Sequence, residues 1–191
     1  MKSVLISIRP QWCEKIASGE KTIEVRKTAP KEVPFKAYIY CSKEKKQDDI
    51  IWAGAFGDRG KWNGHVIGEF ICDDVEEFHE WELSPQGKFA DFERERLENF
   101  LTAACLSKEE VVRYRENLPY CKPLYGWHIS NLKIYDKPKE LSEFRPICKF
   151  EGKDAICALI CPNWKYDGGL FFECTRKVNR PPQSYMFVEE V

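Results

Sequence analysis

Pro10 and Gly19 bracket a short stretch near the N-terminus and constrain the chain more than any other pair of residues. Ahead of Pro10, residues Ser3–Arg9 are rich in Val, Leu and Ile, the composition of a strand. Proline at a first helical position has its missing N–H where no intrahelical partner exists, and its fixed φ suits the first turn. The spacing therefore predicts a helix from Pro10 through Ala17, stopped by Ser18-Gly19. Residues 20–27 follow directly and read as a second strand, so strand, helix and strand succeed one another with almost no linker. Trp12, Lys15 and Ile16 fall on one side of the helix, which lets Trp12 fold back over the first strand, as core or as a platform.

The second strand has an odd composition. Period-two alternation sends Thr22, Glu24 and Arg26 to one face and Lys21, Ile23 and Val25 to the other. An ordinary surface strand would tolerate these residues, and so would a ligand-binding cleft.

Further along, Phe35–Cys41 alternates cleanly and is predicted as a strand. Residues 43–49 are polar, and four glycines in 53–64, ending in Asn63-Gly64, mark a loop and turn ahead of the strand His65–Cys72. Gly54, Gly57 and Gly60 do not follow a strand-to-helix junction and are not a dinucleotide fingerprint. Helical spacing runs through Phe92, Leu97, Phe100, Leu101 and Ala104, and Ser107 with Glu110 forms a capping-box pattern for a second helix to about Asn117. These helices (about 91–117) are predicted as an insertion between strands. Leu124–Tyr135 reads as one long or two short strands, and Tyr185–Glu190 as the last.

With 191 residues, 43% of them hydrophobic, the chain has material for one domain with a full core. Val4–Ile8 is too short for a secretory or membrane-spanning segment, so the expectation is a cytoplasmic protein. The net charge of −1 conceals a gradient: 11 basic against 5 acidic residues over 1–46, 8 against 17 over 47–117, and 11 against 9 over 118–191. A basic first third suits an anionic ligand or solvated faces equally well. With no long basic tail, duplex DNA is not the expected partner.

Gly19-x-Lys21-x-x-Glu24-x-Arg26, preceded by a strand and a helix, resembles the GxKxxExR signature of the ASCH domain family in the PUA-like superfamily. The runs Tyr125–Tyr135 and Arg180–Tyr185 also look like segments of small bacterial and phage ASCH proteins. The resemblance implies an α+β fold with a PUA-like small β-barrel over residues 1–136. Residues 137–179 would be a cysteine-containing extension, and 180–191 would return a final strand to the barrel. It further implies a cleft that binds RNA, a nucleotide or a modified nucleobase.

By the same resemblance, Lys21 and Arg26 would bring positive charge to the cleft and Glu24 would accept from an exocyclic amine. For the three to converge, the strand must bend near Gly19, or Lys21 must enter from the rim. Trp12, Tyr40 and Trp127 are candidate stacking faces, and each is equally suited to the core. Some ASCH relatives hydrolyse acetylcytidine, and ribonuclease activity is also proposed for members. If this chain is such an enzyme, Lys21 and Glu24 are its candidate catalytic residues. Those hydrolases place a threonine where Glu24 stands, and a carboxylate would serve there only as a base on water. A protein-interaction module acting through the acidic helices is the third reading. His128 is an acid–base candidate or a structural histidine.

Nine cysteines in a reducing compartment suggest buried thiols or metal ligands rather than disulfides. Cys148, Cys157, Cys161 and Cys174 make a candidate structural zinc set, with buried unligated thiols or redox chemistry as the alternatives.

Overall fold

A computed structural model of the chain describes residues 1–43, 62–83, 90–148, 163–166 and 172–191. The first elements follow the local sequence. Strand β1 (Lys2–Ile8) leads through Arg9 into helix α1 (Pro10–Ala17), and a short strand β2 (Ile23–Arg26) comes next. Strand β3 (Phe35–Cys41) then returns to pair in parallel with β1, from Lys2 opposite Phe35 to Ile8 opposite Cys41. Alternation in these two central strands feeds two separate cores. Val4, Ile6, Phe35, Ala37 and Ile39 pack toward α1, and Leu5, Tyr38 and Tyr40 pack with Phe144, Val178 and Val188 on the other face. A strand buried on both faces reads as a continuous apolar run, which is what Val4–Ile6 shows.

Strands β4 (Val66–Cys72) and β5 (Val75–Phe78) are almost continuous, as are β6 (Leu124–His128) and β7 (Ser130–Lys139). They pair with each other as one long antiparallel ribbon that bends at Asp74 and Ile129. His128 N–H donates to Asp74 O at 3.0 Å and Ile129 N–H to Thr22 O at 2.9 Å, which fixes the bend. Below the bend the ribbon joins a five-stranded sheet, β10-β1-β3-β4-β7, in which β10 (Tyr185–Val188) is antiparallel to β1. Above it lies a three-stranded sheet, β2-β6-β5.

The expected closed barrel is not what forms. Among the described residues the strands make open sheets, and no ladder joins β2 to β1 or β10. Strand β2 has only four residues, and the Arg26 side chain, not a backbone ladder, spans the gap to Ser7 and Ser184.

Helices α2 (Ala90–Ala104) and α3 (Lys108–Arg115) cover the outer face of the smaller sheet, where Ile23, Val25, Phe78, Leu97, Phe100 and Val111 form a third core. The predicted capping box is present: Glu110 N–H donates to Ser107 Oγ at 3.2 Å and Ser107 N–H to Glu110 Oε2 at 2.8 Å. Of residues 137–179, the described flanks dock on the large sheet. Phe144 is fully buried, Val178 N–H reaches Phe144 O at 2.8 Å, and Ile147 N–H reaches Phe187 O at 3.2 Å. Strands β8 (Trp164–Tyr166) and β9 (Phe172–Cys174) pair with each other. The loop reading of Gly54, Gly57 and Gly60 lies outside the described residues. No helix among the described residues is long and apolar enough to cross a membrane.

Candidate functional site

The end of α1 decides where the charged run goes. Ser18 N–H donates to Glu14 O at 2.8 Å and Gly19 N–H to Ile16 O at 3.0 Å, and Gly19 turns the chain with a φ of 79°. Lys21 N–H then donates back to Lys15 O at 2.9 Å and Thr22 N–H to Ala103 O at 2.9 Å, so the strand begins only at Ile23. The strand expected over 20–27 is shorter than its sequence suggests. Alternation does not govern Lys21, which folds over the turn and meets Glu24 three residues on.

Lys21 Nζ lies 3.5 Å from Glu24 Oε2, and Arg26 Nε lies 3.1 Å from Glu24 Oε1. These three residues are buried, at 3%, 6% and 6% exposure respectively. Lys21 also donates to Ala104 O at 2.6 Å, at the C-terminal end of α2, where the helix presents unsatisfied carbonyls and partial negative charge. Arg26 Nη2 donates to Ser7 O at 2.6 Å. Its Nε–H is close to the carboxylate but not aligned for a hydrogen bond, so that contact is an ion pair only. Burial lowers the pKa of Lys21, and the Glu24 carboxylate opposes that shift.

This cluster sits at the buried end of a cleft of ≈ 480 Å³. Trp12 forms part of the wall, its ring centroid 5.2 Å from Lys21 Nζ, a cation–π distance. Half-buried Leu106 and Glu110 also line the cleft, and its mouth carries Arg9 and Gln11 at the start of α1, Arg113 and Tyr114 from α3, and Gln183 just before β10. All five are exposed. Although Tyr114 as a residue is exposed, its hydroxyl is turned out of water toward the cleft, and this desolvation raises its pKa against the opposing charge of Arg26.

Lys21, Glu24, Arg26 and Trp12 are therefore brought together, and two of the candidate stacking residues are not with them. Trp127 is fully buried, in a T-shaped contact with Phe35 at 5.0 Å between centroids. It stands directly across the ladder from Glu24 without lining the cleft. Tyr40 faces the Leu5–Phe144 core, on the other side of the large sheet from α1. Arg9, Arg113 and Tyr114 were not singled out from the sequence. Arg9 carried a faint signal as the residue before Pro10, and Gln183 lies in the Arg180–Tyr185 run. Arg113 and Tyr114 carried none, because only packing brings α3 to β2.

His128 lies on the far side of β2, 3.4 Å from Glu76 and 3.7 Å from Asp74. Thr22 shares a second cavity of ≈ 470 Å³ with it, between α2 and the small sheet. Cys174 accepts from Arg176 Nε at 2.9 Å. Burial would raise its thiol pKa, but the hydrogen bond and charge of Arg176 outweigh that and lower it. Cys157 and Cys161 lie outside the described residues, and no group of three or more metal-ligating side chains occurs among those described.

No protein-family model and no curated protein matches the sequence. Among solved structures the chain is similar to the ASCH protein of Zymomonas mobilis, at 17% identity and a TM-score of 0.46, over 99% of this chain and 89% of that one. A point variant of the same protein gives 16% identity and 0.46, over 100% and 92%. The N-terminal domain of McrB from Staphylothermus marinus gives 12% and 0.40, over 83% and 81%. The family whose signature Gly19–Arg26 resembles and the family of the first two of these structures are the same, the ASCH proteins.

Proposed function

We propose that this chain binds RNA, a nucleotide or a modified nucleobase in the cleft above Lys21, Glu24 and Arg26. The observation that carries the reading is a buried carboxylate held between two buried cations at the end of an open cleft with an indole in its wall. Burying three charges costs several kcal/mol per ion before pairing, and a chain that needed only stability would do as well with apolar residues there. A carboxylate oxygen accepts more than one hydrogen bond, so Glu24 can hold Lys21 and Arg26 and still accept from an exocyclic amine or ring N–H of a base. Trp12 supplies the flat apolar surface that a base stacks on, an interaction worth about 1–3 kcal/mol.

Binding is favoured over hydrolysis by the surroundings of Glu24. Both its oxygens face cations, and the one aliphatic hydroxyl among the described residues lining the cleft, that of Ser7, is committed to Pro182 O at 2.7 Å. Thr22 opens to the other cavity.

The test is a binding and turnover screen against ribonucleosides, acetylcytidine and short single-stranded RNAs, repeated with Glu24→Gln. Binding that weakens at least tenfold in the variant, without product formation by either protein, is the expected outcome. Failure of every probe to bind would overturn the reading.

A further inference from the structure

Lys21 and Arg26, the cations of the signature, are already engaged. Lys21 is held by Glu24 and Ala104 O, and Arg26 by Glu24, Ser7 O and Ser184 O. Neither is free to neutralise a phosphate without giving up a buried partner. The two guanidinium groups at the mouth differ. Among the described residues, Arg9 and Arg113 make no side-chain hydrogen bond or ion pair, although both line the cleft and are exposed.

Their freedom has a local cause. An acid three or four residues before an arginine on a helix is placed to pair with it. For Arg113 the acid three residues earlier is Glu110, and the capping box turns that carboxylate back onto Ser107 N–H at 2.8 Å. Glu109, the acid four residues earlier, makes no ion pair with it either. Arg9 caps α1 through its backbone, its carbonyl accepting from Trp12 and Cys13 N–H at 3.0 Å, and its side chain makes no cap hydrogen bond to the helix.

Resting on the cleft reading above, we infer that the ligand carries a phosphate and that Arg9 and Arg113 at the mouth recognise it, while Glu24 and Trp12 hold the base within. Each guanidinium presents a planar fork of donors that fits phosphate oxygens. A nucleoside lacking phosphate leaves both forks in water, so this cleft separates nucleotides from nucleosides. The phosphate is either that of a free nucleotide or a diester within single-stranded RNA.

The test measures affinity of the whole chain for the four ribonucleosides, their 5′-monophosphates and mixed-sequence pentaribonucleotides, at low and at high salt. Wild type is expected to prefer at least one phosphate-bearing probe over the matching nucleoside by tenfold or more, the size of one charge-assisted contact. The preference should shrink with salt. In Arg9→Ala/Arg113→Ala the ratio should fall to near one, with an unchanged melting temperature showing that the fold survives; Arg113→Ala alone should give an intermediate ratio. A preference for pentaribonucleotides over monophosphates assigns the phosphate to RNA, and the reverse assigns it to a free nucleotide. Equal affinity for nucleoside and nucleotide in wild type, or a preference that persists in the double variant, overturns the inference and leaves the cleft reading standing. Absence of any binding overturns both.

Discussion

Glu24 is paired with two buried cations, and among the described residues its removal leaves both without an anionic partner. Breaking a buried pair in this way typically costs 3–5 kcal/mol, and Glu24→Ala is expected to lose about that much by urea denaturation. Glu24→Ala combined with Lys21→Met should lose less than the two single changes added together, because the second change removes one of the stranded charges. Lys21 adds a pH signature. Its folded pKa lies below the ordinary 10.5, so between the two values the unfolded chain binds more protons than the folded one. Stability from this residue therefore rises with pH in that window. The difference in unfolding free energy between wild type and Lys21→Met should move in favour of wild type as pH climbs toward 10.5; a difference flat across that range would contradict the burial of a charged Lys21.

Among the elements, the junction from α1 to β2 does most to build the site. Its glycine adopts a left-handed φ, and a Cβ there would meet no atom within 4 Å, so Gly19→Ala isolates backbone strain. An expected loss of about 1–2 kcal/mol, partly recovered in Gly19→Asn, follows from the tolerance of asparagine for that conformation. Gly68 in β4 is the contrasting case. A Cβ there would run into the Lys133 carbonyl on β7, so Gly68→Ala must push apart the ladder at the bent ribbon. Its melting temperature should fall well below that of Gly19→Ala. Helix α1, strand β3 and the Ser107 capping box were all legible locally, since proline, alternation and a Ser–Glu pair three apart each act within one turn or strand. The start of β2 was not. Thr22 bonds to Ala103, a residue of α2 far along the chain, and that bond removes Lys21 from the strand.

At the scale of the molecule, Arg26 holds the two sheets together where a barrel would close by ladder. Arg26→Lys keeps the charge but loses the fork that reaches Ser7 O and Ser184 O. Hydrogen bonds from a charged donor are worth about 1.5–3 kcal/mol each, so a loss of at least ~2 kcal/mol is expected. Hydrogen exchange should quicken in β2 more than in β3, which is buried in the middle of the large sheet. The open seam also provides the cleft, because the space between β2, α1 and α3 is bridged by side chains and not filled by a strand.

The chain by itself determined that Pro10–Ala17 is a helix, that Gly19 ends it, and that Lys21, Glu24 and Arg26 follow in a signature-like order, because each depends on residues a few positions apart. Only the tertiary structure decided that these charges converge, that Trp127 and Tyr40 turn into cores, and that Arg9 and Arg113 stand at the mouth without an ion-pair partner among the described residues. Those outcomes depend on which strands pair, on a seam left open at β2, and on a capping box that occupies the acid an arginine would otherwise hold. Such contacts join residues distant along the chain, and neither a period of two nor one of 3.6 encodes them.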